Sequence, residues 1–387
     1  MKIALVRKTY TPYGGAERYL AQLIQRLGHQ GHAVHIFASR WDQNAPKSLG
    51  KEGKINVFFH RVPSIRTPSF LEALSFALFA KHLLQEESFD IIHSFERTLY
   101  QDIYRAGDGC HREWLIQRKK IDPWTKRLSH PVNPLHTTLL FLERKLFQSP
   151  RLKRVIANSQ RGKEEIIRHY GVLADKIEVI YNGVDLNLFN PLNVELYREK
   201  IRKEYGILQE AFVVLFLGSG FRRKGLDVLI ASLPQWIEKI PHAILLVAGK
   251  DRPRRYRKKA RRLGMEDKIR FLGPTQRARE LYAASDLFVL PTIYEPFSNA
   301  CLEAMATGLP VVTTSINGIA ELIEDRQNGF LVRNPSEPQE ISAAVNAFYH
   351  FPRKAEIREK ARVTSSRFDI ESAVQRMLQI YGEIKNR

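Results

Sequence analysis

The sequence predicts an α/β protein built from two doubly wound, parallel-sheet units. Three observations carry that expectation. Apolar runs of strand length, such as Ile3–Val6, Val57–His60 and Phe212–Gly218, alternate with amphipathic stretches of helical length. The chain has 387 residues, more than a single hydrophobic core usually serves. Near its middle, Tyr181-Asn182-Gly183-Val184-Asp185 running on to Phe189-Asn190-Pro191 is polar and turn-rich, as a linker between units should be.

Taken in order, Ile3-Ala4-Leu5-Val6 reads as the first strand. Tyr13-Gly14-Gly15-Ala16-Glu17-Arg18 follows and opens a helix with Leu20, Leu23, Ile24 and Leu27 on one face. Paired glycines at a strand-to-helix turn let the backbone approach a ligand closely, although a glycine pair alone also serves a plain turn. Gly31–Phe37, Val57–His60 and Asp90–Ser94 supply further strands. Ligands of doubly wound sheets lie beyond the carboxyl ends of strands. That places weight on Asp108-Gly109-Cys110-His111, after Ile103-Tyr104-Arg105. Asp108 or His111 can polarise a hydroxyl there, and an ordinary turn fits the spacing equally well. Val155–Ser159 and Ile177–Ile180 are two more strands.

Between His111 and Arg154 the composition turns basic, with Arg112, Arg118, Lys119, Lys120, Lys126, Arg127, Arg144 and Lys145 interleaved with Trp114, Trp124 and Phe141. Such a segment suits peripheral contact with an anionic membrane. A solvated helix face and nucleic-acid binding are the competing readings. The whole chain carries a formal charge of +20 and a sequence pI near 9.9, which favours anionic partners. Cys110 and Cys301 are the only cysteines, so a disulfide framework is not expected. No signal peptide is expected from Met1–Val6 followed by Arg7-Lys8, and the most apolar helix-like stretch, Phe70 to Leu84, is interrupted by Glu72 and Lys81. A cytoplasmic protein is expected.

The second unit opens with Phe212–Gly218, a buried strand, and the loop Ser219-Gly220-Phe221-Arg222-Arg223-Lys224-Gly225. Fixed cations there would stabilise a departing diphosphate, arginine by two parallel bonds and lysine as a point charge. A helix from Leu226 to Leu233 and the strand Ala243–Gly249 come next. Arg254 to Arg262 reads as a very basic helix, an exposed face in preference to a ligand site, with a start beside the nucleotide as the alternative. Leu287–Leu290 is a buried strand, and Pro291 to Pro310 forms a turn and a helix capped by Ser298 or Asn299. A strand, a turn and a helix N-terminus make a site for an anion, because backbone N–H groups point outward at a helix start. Glu295 and Glu303 flank it, and carboxylates suit sugar hydroxyls. Amides for phosphate and acids for hydroxyls together point to a nucleotide-sugar.

The Glu-x7-Glu spacing lies within a longer run that resembles the retaining GT-B glycosyltransferases of family 4. The run includes Phe271-Leu272-Gly273, Ala284-Ser285-Asp286, Leu290-Pro291-Thr292, Glu303-Ala304-Met305-Ala306 and Asn328-Gly329-Phe330-Leu331-Val332. The resemblance implies two Rossmann-like domains facing a cleft, with residues 1–183 for the acceptor, 184–366 for the nucleotide-sugar, and 367–387 as a helix crossing back to the first domain. Tyr10-x-Pro12-Tyr13-Gly14-Gly15, Phe221-x-Arg223-Lys224-Gly225 and Gly249-x-Asp251-x-Pro253-Arg254 are most similar to the lipopolysaccharide core glucosyltransferases.

That likeness implies a UDP-sugar donor, with UDP-glucose favoured, and a phosphorylated glycan or glycolipid acceptor at the cytoplasmic face of the inner membrane. It also implies catalytic roles for Asp108, Arg223, Lys224 and Glu295. Gly14, Gly15, Arg222, Gly249, Phe297, Ser298, Asn299, Ala300 and Glu303 would hold the donor. Many members carry an extra arginine ahead of the lysine, where this chain has Gly218 or Ser219, so Arg222 and Arg223 compete for that work. No Asp-x-Asp motif occurs, and neither a bound metal nor a separate cofactor is expected. A nucleic-acid-binding protein and a catalytically silent nucleotide-sugar sensor are the rival readings.

Overall fold

The computed structural model describes residues 1–10, 15–41, 56–124, 127, 132–240 and 242–386. It divides into two units, Met1–Asn182 with Ile370–Arg387, and Gly183–Asp369.

In the first unit the strands are β1 (Lys2–Val6), β2 (Ala33–Ala38), β3 (Val57–Arg61), β4 (Ile91–Ser94), β5 (Ile103–Arg105), β6 (Arg154–Ala157) and β7 (Ile177–Val179). They pair in parallel in the order β3-β2-β1-β4-β5-β6-β7, so the chain starts in the middle and winds outward both ways. Both faces must then be covered, which is why β1 is apolar at every position from Ile3 to Val6 rather than alternating. On one face Ile3 and Leu5 meet Leu20, Leu23, Ile24 and Leu27 of α1 (Gly15–His29). On the other, Ala4 and Val6 meet Phe76, Ala80 and Leu84 of α2 (Ser69–Glu86). Each such aliphatic side chain contributes about 1.5–3 kcal/mol on burial. Strand β5 has only three residues and gives no periodic signal of its own. Three further helices are α3 (His111–Ile121), α4 (Pro134–Phe147) and α5 (Gln160–Tyr170). No helix among the described residues is long and apolar enough to cross a membrane.

The second unit repeats the plan. Its strands are β8 (Val213–Leu217), β9 (Ile244–Ala248), β10 (Ile269–Gly273), β11 (Leu287–Leu290), β12 (Val311–Thr314) and β13 (Phe330–Val332). Their order, β10-β9-β8-β11-β12-β13, is again parallel throughout and again places the first strand beside the fourth. The helices are α6 (Leu192–Glu204), α7 (Leu226–Ile237), α8 (Arg254–Arg262), α9 (Ala278–Ala284), α10 (Asn299–Ala306), α11 (Pro338–Tyr349) and α12 (Lys354–Ser366).

The chain leaves the second unit at a specific point. The Val184 amide donates to the Phe368 carbonyl at 2.9 Å, and Val184 bridges Asp369, so residues 367–369 stay with that unit. The last helix, α13 (Ile370–Lys385), returns to the first. There Met377, Ile380 and Tyr381 enter the core beside α1, and Tyr381 Oη lies 2.6 Å from His93 Nδ1. The two-unit α/β architecture and the returning helix expected from the sequence are both present.

Candidate active site

The site in the second unit begins where β8 ends. Its loop turns into α7 at Gly225, whose φ is +81°. A Cβ at that position would fall 1.9 Å from the Pro291 carbonyl oxygen, so only glycine lets the loop press against the segment after β11. The two stretches are stitched together: Ile293 N donates to Arg223 O at 3.0 Å and Thr292 Oγ1 to the same oxygen at 3.1 Å. The basic loop and the Pro291–Pro310 stretch, read separately in the sequence, therefore form one site.

Glu295 is the junction. Its Oε2 accepts from Arg223 Nη1 at 2.8 Å and from Lys224 Nζ at 2.9 Å, and Arg223 Nη1 also reaches the Tyr294 carbonyl at 3.1 Å. Burial alone would push the Glu295 carboxyl up, but the charges and hydrogen bonds of Lys224 and Arg223 outweigh it and hold the group below its ordinary value. The carboxylate stays ionised, and Oε1 makes no hydrogen bond among the described residues. Arg222 takes another course. It lines a shallow basin with Asp251, Arg254 and Tyr256, so the contact with Glu295 singles out Arg223 and Lys224.

Ser298 caps α10, its hydroxyl accepting from Cys301 N at 3.3 Å, which selects it over Asn299. The serine oxygen accepts in this cap, and the start of α10 at Asn299 and Ala300 is the end at which a helix presents backbone N–H groups to an anion. Glu303 is buried on the same helix and accepts from Tyr282 Oη at 3.1 Å. Tyr282 escaped the sequence reading, although it stands two residues before the Ala284-Ser285-Asp286 run. Gly249 has φ +141°, and a Cβ there would meet the Gly218 carbonyl oxygen at 2.1 Å. Close packing of the loop thus explains that glycine directly. Asp251 also escaped the reading as a support: its Oδ2 accepts from Phe221 N at 2.8 Å and holds the loop from below.

In the first unit, Gly14 lies outside the described residues, and Gly15 is the first residue of α1. Asp108 is exposed at the tip of the loop after β5, close enough to Arg7, Glu96 and Arg97 to act on each electrostatically. The loop is clamped around it. Asn158 Nδ2 donates to Gly107 O at 3.3 Å, Arg97 Nη2 to Gly109 O at 2.9 Å, and the His111 amide to Glu143 Oε1 at 2.6 Å. Arg97 Nε closes the ring onto the same Glu143 oxygen at 2.8 Å.

His111 departs from the expectation of a surface group that polarises a hydroxyl. It is 8% exposed and its Nε2 lies 3.2 Å from His136 Nδ1. Burial, reinforced by Arg97, His136 and Arg118, lowers its pKa to about 3, so it is neutral and spent on packing. Of the two candidates, Asp108 alone is presented at the surface.

The basic stretch from residue 111 to 154 is helices α3 and α4 with the chain between them. Lys119, Lys120, Arg144 and Lys145 are exposed, as are Trp124 and Phe141 at 71% and 49%. Arg118 is not a free surface cation: its Nε donates to the buried Asp122 at 2.8 Å. Arg127 Nε donates to the Asp122 carbonyl at 2.7 Å, and Lys126 lies outside the described residues.

Comparison with known proteins covers both units. A family model described as Glycosyltransferase Family 4 matches residues 13–188, and one described as Glycosyl transferases group 1 matches residues 197–364. The chain is 24% identical over 383 residues to the lipopolysaccharide glucosyltransferase WaaG of Escherichia coli, covering 98% of each. It is 25% identical over 421 residues to the D-inositol 3-phosphate glycosyltransferase of Corynebacterium aurimucosum, covering 99% of this chain and 96% of that one. Its fold is similar to the crystal structure of WaaG, with a TM-score of 0.82 at 24% identity, covering 98% of this chain and 99% of that one. HepE of Anabaena in complex with UDP-glucose follows, with a TM-score of 0.76 at 24% identity over 99% of this chain and all of that one.

Proposed function

The chain belongs to the GT-B glycosyltransferases and is a glycosyltransferase enzyme, and from that premise we propose that it moves a hexose from a UDP-sugar, with retention of configuration, to a phosphorylated glycan or glycolipid. The observation that carries the reading is the pair Arg223 and Lys224 converging on one oxygen of the ionised Glu295, beside the Ser298-capped start of α10. Two cations and a helix start suit a diphosphate, and Glu295 Oε1 suits a donor sugar hydroxyl. Arg223, Lys224 and the first-turn amides of α10 take up the charge that develops as the diphosphate departs. Glu303 holds the ribose, with Tyr282 fixing its carboxylate. The acceptor oxygen attacks the face the diphosphate leaves, with Asp108 orienting it. Fixed cations make a metal unnecessary in this scheme.

Glucose is the favoured sugar and a lipopolysaccharide core the favoured acceptor, because one relative is named a lipopolysaccharide glucosyltransferase and one similar structure is titled as a UDP-glucose complex. The exposed cations of α3 and α4, with Phe141 and Trp124, suit peripheral contact with the cytoplasmic face of an anionic membrane. The test is UDP release and product mass measured with UDP-glucose, UDP-galactose and UDP-N-acetylglucosamine, with and without chelator. Release from UDP-glucose above the others, unaffected by chelator, is the expected result. A chelator-sensitive reaction would restore a metal, and UDP binding without turnover on any donor or acceptor would leave a sensor.

A further inference from the structure

Helix α8 opposes several of the rules by which helices are stabilised, although its basic last turn suits the helix dipole. Seven of its nine residues, Arg254-Arg255-Tyr256-Arg257-Lys258-Lys259-Ala260-Arg261-Arg262, are basic. Like charges three and four residues apart repel, no acid stands in its first turn, and its N-cap, Pro253, makes no side-chain cap. The fold answers part of the charge. Arg255 pairs with Asp227, Lys259 Nζ donates to the Asp227 carbonyl at 2.7 Å, Arg261 forks onto Glu266 at 2.8 and 2.9 Å, and Arg257 lies 5.1 Å over the Phe271 ring.

Arg254, Lys258 and Arg262 have no acidic partner among the described residues. Spaced by four, they form one stripe roughly 12 Å long on the helix surface. A shallow basin lies on either side. One, of about 600 Å³, is lined by Asp251, Arg252, Arg254, Tyr256 and Lys258 with Arg222; the other, of about 720 Å³, by Arg254, Arg257, Lys258, Arg261 and Arg262 with Pro253. Arg254 and Lys258 belong to both. The single acid in these linings, Asp251, is turned to the backbone amides of Phe221 and Arg252. Functional or strained sites are where local rules are expected to be broken.

We propose that this stripe is an anion site separate from the Arg223–Lys224 pair, and that it takes a soluble ligand carrying two or more phosphate groups. Rows of guanidinium and ammonium groups recognise phosphate oxygens, and successive phosphates of one molecule match a stripe better than a single anion does. The residues lining the two basins present no exposed aromatic or aliphatic side chain to enter a bilayer, which favours a soluble anion. The only aromatic residue in these linings, Tyr256, is 1% exposed, so no ring is presented for stacking bases of a nucleic acid.

The test is calorimetry with sodium tripolyphosphate on the full chain saturated with UDP, so that the donor site is filled. Binding should persist under UDP and weaken at least about tenfold in Arg254→Ser/Lys258→Ser/Arg262→Ser. UDP affinity and the circular dichroism spectrum should stay unchanged in that variant. Arg254→Lys/Arg262→Lys, which keeps the charge, should retain most of the binding. Displacement of tripolyphosphate by UDP would return the anion to the donor site, and equal binding by the triple variant would remove the stripe from any role. Absence of tripolyphosphate binding, with phosphatidylglycerol vesicles or RNA bound instead and released by the triple variant, would overturn the assignment in favour of those partners.

Discussion

In each unit a carboxylate on the segment after the fourth strand meets a cation on the segment after the first, yet the two pairs are set in opposite electrostatic states. In the second unit Glu295, after β11, meets Arg223 and Lys224, after β8; one oxygen takes both cations and the group is held below its ordinary value. In the first unit Glu96, after β4, lies 3.7 Å from Arg7, after β1. Arg7 is shared with Glu17 at 3.2 Å. Burial pushes Glu96 up, Arg7 only partly offsets it, and the charge of Asp108 adds to the rise. One topology thus builds a carboxylate held below its ordinary value in one unit and one pushed above it in the other. Groups whose environments push them apart in this way divide acid–base work from charge stabilisation. We propose that the second-unit cluster serves the diphosphate and that the acids of the first unit, Asp108 with Glu96 beside it, serve the acceptor hydroxyl.

The comparison breaks most visibly at the fixed cluster. Lys224→Ala should cut transfer by about a hundredfold or more, the usual loss when a donor aimed at developing charge is removed. Arg223→Ala should come close to it, whereas Arg222→Ala should be mild, because of the two arginines it is Arg223 that pairs with Glu295. Steady-state kinetics on the three variants decides this, and three equally mild losses would reduce the loop to solvated surface.

Next in size is the division between the two glutamates. Glu303→Ala should weaken UDP binding by roughly 1.5–3 kcal/mol, the worth of a hydrogen bond to a charged acceptor. Glu295→Gln should cut turnover without weakening UDP, since it removes a negative charge beside two cations. Calorimetry with UDP separates them, and equal losses of affinity would end the assignment of separate roles. A smaller effect probes the first unit. Glu143→Gln loosens the clamp on Gly109 and His111, so transfer should fall about tenfold through misplacement of Asp108 while UDP affinity stays unchanged. Asp108→Asn in the same background should then add less than it does alone, the mark of a shared path.

Much of this was legible in the sequence because parallel strands buried on both faces leave unbroken apolar runs. Ile3–Val6, Val213–Leu217 and Leu287–Leu290 are each such a run. The Glu295 and Glu303 spacing was legible because it lies within one turn and one helix. The supports were not. Tyr282 reaches Glu303 across 21 residues, Asp251 reaches Phe221 across 30, and Glu143 reaches Arg97 across 46. Contacts at such separations are fixed by how strands and helices are layered, and no local period records them. His111 misled for the same reason. A glycine-containing loop looks exposed in sequence, but Arg97 and Glu143 hold its far end, where α3 begins, against His136 of α4.

The finest test of the contrast is the pH dependence of stability, where the two carboxylates must act with opposite sign. Glu96 has a folded value raised above its ordinary one. Its contribution to stability is therefore greatest below the ordinary value and is lost as pH rises through the folded one. Glu96→Gln imitates the protonated form, so it should gain on the wild type as pH rises toward neutrality. Glu295 has a folded value below its ordinary one. Its contribution is present above the ordinary value and is lost as pH falls through the folded one. Glu295→Gln should therefore be less stable than the wild type at neutral pH, with the deficit shrinking in acid. Both groups are mostly buried, with side chains 20% and 12% exposed, so solvent screening does not erase the effect. A change of about 1 kcal/mol in a unit of this size moves Tm by roughly 2–4 °C, within reach of scanning calorimetry from about pH 4 to pH 7. Slopes of the same sign for the two variants would mean that the twin positions share one electrostatic state, and the division of labour drawn from them would fall.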